Sequence, residues 1–305
     1  MTSAPAAVRA AFPLSRLTTV RTGGPAEFFA RAGDERELAE LLAWAGDAGL
    51  EIGIVGSGSN LLVADEGVRG LVLKLDRDLA QIETDGTRLR CGGGARLPAA
   101  AAAAARAGLS GLEFGVNIPG TTGGAVRMNA NAYGGELARV LEWVRIVSPA
   151  GAEHRAPERL GFAYRSSSLA PGEVVAAASF ALEPAEPAAV RATLASMRER
   201  RREAQPSGIK TFGSAFKNPE SDPQQRTAGR LLDAAGCRGL QVGGARFSPE
   251  HANFVENIGT ATTADVVALM AEGRRRVRGA FGLELEPEVQ TLGPVDWPAA
   301  AGPGS

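Results

Sequence analysis

The sequence predicts an α+β protein with more than one core. Its 305 residues exceed what a single core ordinarily holds, which points to two or three subdomains. Short apolar runs bounded by glycine or proline alternate with longer stretches at helical spacing. Between them lie two glycine-dense segments, Gly56-Ser57-Gly58-Ser59-Asn60 and Gly115 to Ala125.

The elements follow in chain order. Arg21-Thr22-Gly23-Gly24-Pro25 reads as a turn entering the apolar run Phe28-Phe29-Ala30, a strand. Asp34 stands three residues before Glu37, the spacing of a helix N-cap, and Leu38, Leu41, Leu42 and Ala45 follow on one face until Gly49. Glu51 to Val55 is a short strand that runs into the first glycine segment, and Leu61-Leu62-Val63 and Leu71-Val72-Leu73 are further strands. Arg88 to Cys91 is another. Pro98 opens an alanine-rich helix that Gly108 stops; its small side chains suit close packing against a sheet or a cofactor, and helix propensity alone accounts for them equally. Val140 to Val147 and Val174 to Leu182 read as sheet around a turn at Pro149-Ala150-Gly151. Pro184 and Pro187 mark a linker. Helices are then predicted from Ala188 to Glu203, Thr227 to Ala235 and Thr263 to Phe281. The arginine runs late in the first and last of these complement the helix macrodipole on a solvated face.

Composition excludes several function classes. Hydrophobic residues make up 44% and charged residues 22%, as in a folded soluble protein. The net charge is -1, so no basic field favours nucleic acid, and an anionic ligand must be held by local groups. Cys91 and Cys237 form neither a disulfide scaffold nor a CxxC pair and read as reduced, partly buried thiols. His154 and His251 are the only histidines, which speaks against a histidine metal cluster or a Ser-His-Asp hydrolase; no metal is expected. No apolar run reaches membrane-spanning length and the first residues lack a signal-peptide core. The expected location is the cytoplasm, without membrane or obligate protein partner.

Glycines let a backbone bend and bring N–H groups up to a phosphate, and serine, threonine and asparagine add side-chain donors. The first segment is not a dinucleotide fingerprint: the GxGxxG spacing is absent and a strand, not a helix, follows. Nor is it a P-loop, since no lysine-serine pair follows. Alone it equally describes a tight turn. The second segment, with Met128-Asn129-Ala130-Asn131-Ala132-Tyr133-Gly134 continuing its small-residue wall, adds a second phosphate-cradling loop around a turn. Two such loops point to a dinucleotide of unspecified kind.

Arg21-Thr22-Gly23-Gly24, Gly56 to Asn60 and Pro119-Gly120-Thr121-Thr122-Gly123-Gly124-Ala125 together resemble the FAD-binding half of the UDP-N-acetylenolpyruvoylglucosamine reductase family. That half belongs to the vanillyl-alcohol-oxidase type (PCMH-type) of FAD fold. The resemblance implies an FAD-binding domain over residues 14–183, in two subdomains of about 14–76 and 77–183, and a smaller α+β substrate-binding domain over 184–293. Residues 1–13 and 294–305 are expected to be disordered tails. The FAD contacts it implies fall on Arg21, Gly23, Gly24, Gly56, Ser57, Gly58, Ser59, Asn60 and Leu61, and on Gly115, Pro119, Gly120, Thr121, Thr122, Gly123, Gly124 and Ala125. Neither glycine segment contains histidine, so non-covalent FAD is expected.

The same resemblance assigns the chemistry. Tyr164-Arg165 matches the family's active-site pair, with Arg165 binding the enolpyruvyl carboxylate. Gly213-Ser214-Ala215-Phe216-Lys217-Asn218-Pro219 matches the motif whose serine is the proton donor, here Ser214. Leu285-Glu286-Pro287-Glu288-Val289 matches the closing motif whose second glutamate is catalytic, which selects Glu288 and leaves Glu286 structural. Tyr164, Lys217, Asn218 and Asn253 are expected to contact substrate, with His251 near them. The reaction implied is reduction of UDP-N-acetylglucosamine enolpyruvate to UDP-N-acetylmuramate, for cell-wall synthesis, with NADPH as hydride donor through FAD. Some family members insert, after the Tyr-Arg motif, a segment whose tyrosine closes over the UDP. This chain has only Tyr133 and Tyr164 and resembles the shorter subtype without that lid. Two other readings stay open: an FAD-dependent alcohol oxidase of the same fold, and a non-catalytic flavin- or sugar-nucleotide-binding protein.

Overall fold

The computed structural model describes residues 4–298. The chain forms two compact units, and each is discontinuous in sequence. The first comprises Met1–Ala11, Glu27–Ser57 and Arg69–Glu203, the second Phe12–Ala26, Gly58–Val68 and Ala204–Ser305. This grouping differs from the expected division in two ways. The helix after Pro187 groups with the first unit, and the segments around Arg21 and Leu61 group with the second.

In the first unit, α1 (Glu35–Asp47) begins as its sequence spacing predicts: the Asp34 carboxylate accepts from the Glu37 amide at 2.7 Å. Its apolar face, Leu38, Leu41, Leu42 and Ala45, packs with Leu71, Leu73 and Leu75 of the strand Val68–Leu75. That strand sits in a four-stranded sheet between Pro25–Ala32 and Ile52–Ile54, with Arg9–Pro13 at the edge. Residues 9–13 are therefore a strand rather than part of a disordered tail, because their main chain finds a partner strand. A second sheet of five antiparallel strands has the order Gly151–Arg155, Leu141–Ser148, Val174–Ala181, Arg88–Gly92, Ile82–Asp85.

The alanine-rich α2 (Leu97–Arg106) packs on two sides at once. Ala100 and Ala104 join the core of the five-stranded sheet, while Ala101 and Ala105 meet Val190 and Leu194 of α4 (Pro187–Ala204). Small side chains permit both close approaches. Between α2 and α4 in sequence lies the short α3 (Thr122–Arg127), in a stretch that the residues alone suggested was a turn. The proline pair at 184 and 187 is not a free linker: Pro184 pairs with Leu109, and Pro187 opens α4.

In the second unit, α5 (Ala228–Ala234) and α6 (Thr263–Phe281) share a core with the strands Ala245–Phe247 and Val255–Asn257. Thr262 and Asp265 cap α6 reciprocally, and its stripe Val266, Val267, Met270 and Val277 is buried. Leu61–Val63 pairs in parallel with Gln290–Leu292. Val295 and Trp297 pack against this core, so the expected disorder does not begin at Pro294. The rest of the two expected tails, residues 1–3 and 299–305, lies outside the described residues. Among the described residues no helix is long and apolar enough to cross a membrane.

Candidate active site

The two glycine-rich segments meet in the first unit. A Cβ placed on Gly56 would stand 2.5 Å from Thr121 Oγ1, so only glycine allows this approach. The Thr121 hydroxyl accepts from the Gly124 amide at 3.4 Å and starts α3. Gly123 N–H donates to Gly93 O at 2.8 Å, and Thr122 N–H donates to Ala95 O at 2.8 Å. These bonds fasten the segment to the strand end at Gly92.

Gly120 and Gly124 have a different character. A Cβ on Gly120 would meet Ile118 Cγ2 at 3.8 Å, and one on Gly124 would meet Thr121 Oγ1 at 3.5 Å, both ordinary contacts. Packing within the protein does not demand glycine at either position. Among the described residues, the amide of Ser57, which follows Gly56 in the same unit, donates to no protein acceptor. An amide without a partner, in the same unit as this bare glycine backbone, makes a cradle that fits the diphosphate of FAD. Pro119 is exposed just before this cradle. Gly115 has an internal reason for its identity, since its Cβ would lie 2.9 Å from Leu97 Cγ. Lys74 went unnoticed in the sequence. It interrupts the apolar strand Val68–Leu75, and its Nζ donates to the Gly56 carbonyl.

Tyr164 and Arg165 are the two central residues of a tight turn, in which Ala163 and Ser166 exchange backbone hydrogen bonds at 3.2 and 3.1 Å. Arg165 adopts φ 55°, a left-handed backbone that usually selects glycine. Its Nη1 donates to the Asn131 carbonyl at 3.2 Å and to Asn131 Oδ1 at 3.1 Å, and its guanidinium lies 5.4 Å from the Tyr164 ring centroid. The small-residue wall after α3 thus holds the arginine. Ser167 Oγ also donates to Arg127 O at 2.8 Å, tying the turn to α3.

The second unit gathers Ser59, Asn60, Ser214 and Glu288. Asn60 Nδ2 donates to the Glu288 carbonyl at 3.2 Å, and Glu288 N–H donates to Ala215 O at 2.9 Å. A Cβ on Gly213 would lie 3.8 Å from Ser59 O. The segment from Ser214 to Lys217 is flanked on both sides: Ala215 N–H donates to Asn253 O at 2.7 Å, and Lys217 N–H to Glu286 O at 2.9 Å. Ser214 therefore sits on a braced segment, in an isolated β-bridge with Phe254. Leu61 continues from Asn60 into the pair with Gln290–Leu292.

Other expected contacts have structural partners. Lys217 Nζ pairs with Glu286 at 3.3 Å, and Asn218 Oδ1 accepts the first amide of α5 from Ala228 at 3.0 Å. Asn253 is only 4% exposed, with its carboxamide bonded to Phe216 at both ends, so it braces the Ser214 segment instead of facing substrate. His251 Nδ1 accepts from the Asn253 amide at 3.2 Å, and burial lowers its pKa. Gly23 and Gly24 answer to packing: Cβ atoms there would come within 2.5 Å of Val63 Cβ and 2.3 Å of Asp65 O. Arg21 is exposed and donates to Arg16 O at 2.7 Å. Gly58 likewise presses on Leu17 O, while its own carbonyl accepts from Thr19.

Residues 26–156 match the FAD binding domain profile, and residues 205–292 match the C-terminal domain of UDP-N-acetylenolpyruvoylglucosamine reductase. The fold and the cradle define a flavoprotein-type chain, with a vanillyl-alcohol-oxidase-type FAD-binding domain followed by a small α+β domain. The chain is 45% identical over 295 residues to UDP-N-acetylenolpyruvoylglucosamine reductase 2 of Symbiobacterium thermophilum, covering 96% of this chain and 94% of that one. It is 44% identical to the corresponding reductase of Anaeromyxobacter dehalogenans strain 2CP-C, covering 92% and 84%. The crystal structure of the reductase from Thermus caldophilus superposes with a TM-score of 0.80 at 37% identity, covering 93% of this chain and 98% of that one. The chain belongs to the UDP-N-acetylenolpyruvoylglucosamine reductase family.

Proposed function

We propose that this chain reduces UDP-N-acetylglucosamine enolpyruvate to UDP-N-acetylmuramate, using NADPH and non-covalently held FAD. The observation that carries the reading is the hydrogen-bonded cluster of Asn60, the Ser214 segment and Glu288, in a chain similar to such reductases along nearly its whole length. The product serves peptidoglycan precursor synthesis in the cytoplasm, and through it cell shape and division.

FAD, held by the segments around Gly56 and Gly120, would supply the hydride chemistry between NADPH and the vinyl carbon distal to the substrate carboxylate. Arg165 grips that carboxylate with a planar fork and stabilises the charge that spreads onto it. The Ser214 hydroxyl hands a proton to the carbon that becomes the lactyl centre. A serine hydroxyl is a weak acid, so its alignment must be close, and the two-sided bracing of its segment supports that role. Glu288 assists only when protonated or hydrogen-bonded, because a bare carboxylate repels the developing charge. Tyr164, Lys217 and Asn218 contact the substrate. Strand Val174–Ala181 and α4 follow the Tyr-Arg turn, which supports the shorter subtype without the tyrosine lid.

The test is stopped-flow on the purified, flavin-loaded protein. NADPH should bleach the flavin absorbance, and the enolpyruvyl sugar nucleotide should restore it anaerobically. A colourless protein that takes up no FAD overturns the reading. So does bleached flavin that reoxidises only with oxygen, together with turnover of an alcohol, which identifies the oxidase alternative.

A further inference from the structure

We propose that Lys74 is a positioning residue of the FAD cradle, holding the Gly56 carbonyl so that the Ser57 N–H is presented to the cofactor diphosphate. The proposal rests on the FAD-binding reading and deepens it.

Lys74 stands in a strand whose neighbours Leu71, Val72, Leu73 and Leu75 are buried. A half-buried ammonium in such a place is costly unless it has a partner. Its partner is the Gly56 carbonyl, at the start of the first glycine loop. The peptide joining Gly56 to Ser57 is planar and trans, so its C=O and N–H point in opposite directions. Fixing the carbonyl toward Lys74 therefore fixes the Ser57 N–H away from it. Thr121 closes the other side of Gly56, since a Cβ there would strike its hydroxyl at 2.5 Å. The peptide is thus clamped between a cation and a threonine, with an amide that has no protein acceptor among the described residues.

The charges around Lys74 add a second consequence. Burial lowers its pKa first of all; Arg31 on the adjacent strand and Arg96 before α2 lower it further, while Asp76, just beyond the end of its strand, opposes them. Arg31 and Asp76 pair at 2.9 Å. A bound diphosphate favours the ammonium form and raises this lowered pKa. Affinity for FAD is then complete below the pKa of the FAD-free protein and is lost as pH rises through that of the complex.

The experiment titrates FAD into flavin-stripped wild type, Lys74→Met and Lys74→Arg, following quenching of flavin fluorescence from neutral to alkaline pH. Lys74→Met should weaken FAD binding roughly 10- to 100-fold at neutral pH, the scale of one charge-assisted hydrogen bond. Lys74→Arg should recover most of the loss. Wild-type affinity should fall at alkaline pH, and the Lys74→Met profile should be flatter. Unchanged FAD affinity in Lys74→Met overturns the proposal, as does equal pH dependence in the two proteins. If Lys74→Met does not fold, a flat wild-type profile overturns it equally. Wild type that binds no FAD at all overturns the functional reading itself, and the proposal with it.

Discussion

Asn253 and Phe216 exchange two hydrogen bonds: the Asn253 carboxamide accepts from the Phe216 amide at 3.0 Å and donates to the Phe216 carbonyl at 2.9 Å. A buried side chain thereby imitates a neighbouring strand beside the segment that carries Ser214. Asn253→Ala leaves a buried amide and a buried carbonyl without partners. It should lower stability by about 2–3 kcal/mol in urea unfolding. Proton delivery by Ser214 should slow, seen as slower flavin reoxidation, while the KM for the sugar nucleotide stays near wild type. A raised KM with unchanged stability would restore Asn253 as a substrate contact.

Arg165 stands where a turn ordinarily uses glycine, at φ 55°. A non-glycine residue there costs about 1–2 kcal/mol. Retaining that cost makes sense only if the side chain is needed. Arg165→Gly should therefore unfold at the same temperature or a slightly higher one, while turnover falls at least about 100-fold. Arg165→Lys keeps the charge but loses the planar fork, and should fall between the two. Loss of stability with turnover retained would make the arginine a structural residue.

What the residues revealed alone follows from how local each signal is. The span of α6 was legible to the residue, because its cap at Thr262 and its stripe from Val266 to Val277 are both short-range features. The helix α3 was not, because it opens with Thr122-Gly123-Gly124, a poor helix former that depends on the Thr121 cap and on bonds to Gly93 and Ala95. The discontinuous second unit was equally hidden. Residues 58–68 join it through pairing of Leu61–Val63 with Gln290–Leu292, more than two hundred positions away in the chain. At the site, the Ser214 and Glu288 motifs were visible as strings, yet their shared backbone bond through Ala215 was not. Glycines at 23 and 24 suggested a ligand, whereas their contacts with Val63 and Asp65 provide a packing reason that only tertiary structure displays.

Cys91 is 1% exposed and Cys237 is fully buried. Burial pushes the Cys91 thiol up to about 12 and the Cys237 thiol up to about 11. Because the thiolate is the reactive form, both should react with a thiol reagent at pH 8 at least about 100-fold more slowly than free cysteine. Both should react fully in denaturant. The two thiols lie in different units, so their separate labelling rates in the native protein measure the opening of each unit. Rapid labelling of either one without denaturant would contradict its burial.

Glu272 on α6 accepts hydrogen bonds from both Arg275 and Arg276 at 2.7 Å, and Arg276 also donates to the Gly236 carbonyl just beyond α5 at 2.8 Å. Hydrogen bonding from Arg275, then from Arg276, lowers the Glu272 carboxyl from 4.5 to about 2. A carboxyl lowered in the folded state contributes stability above its unfolded pKa and loses it as pH falls through the folded value. The window here runs from about 4.5 down to about 2. The group is partly solvated, so the contribution is modest, about 0.5–1 kcal/mol at neutral pH. Unfolding free energies of wild type and Glu272→Gln from urea titration should differ by that amount at pH 7, converge as the pH drops through the window, and coincide at its acid end. A difference that stays constant across the window would mean that Glu272 acts through packing and hydrogen-bond geometry rather than through its charge.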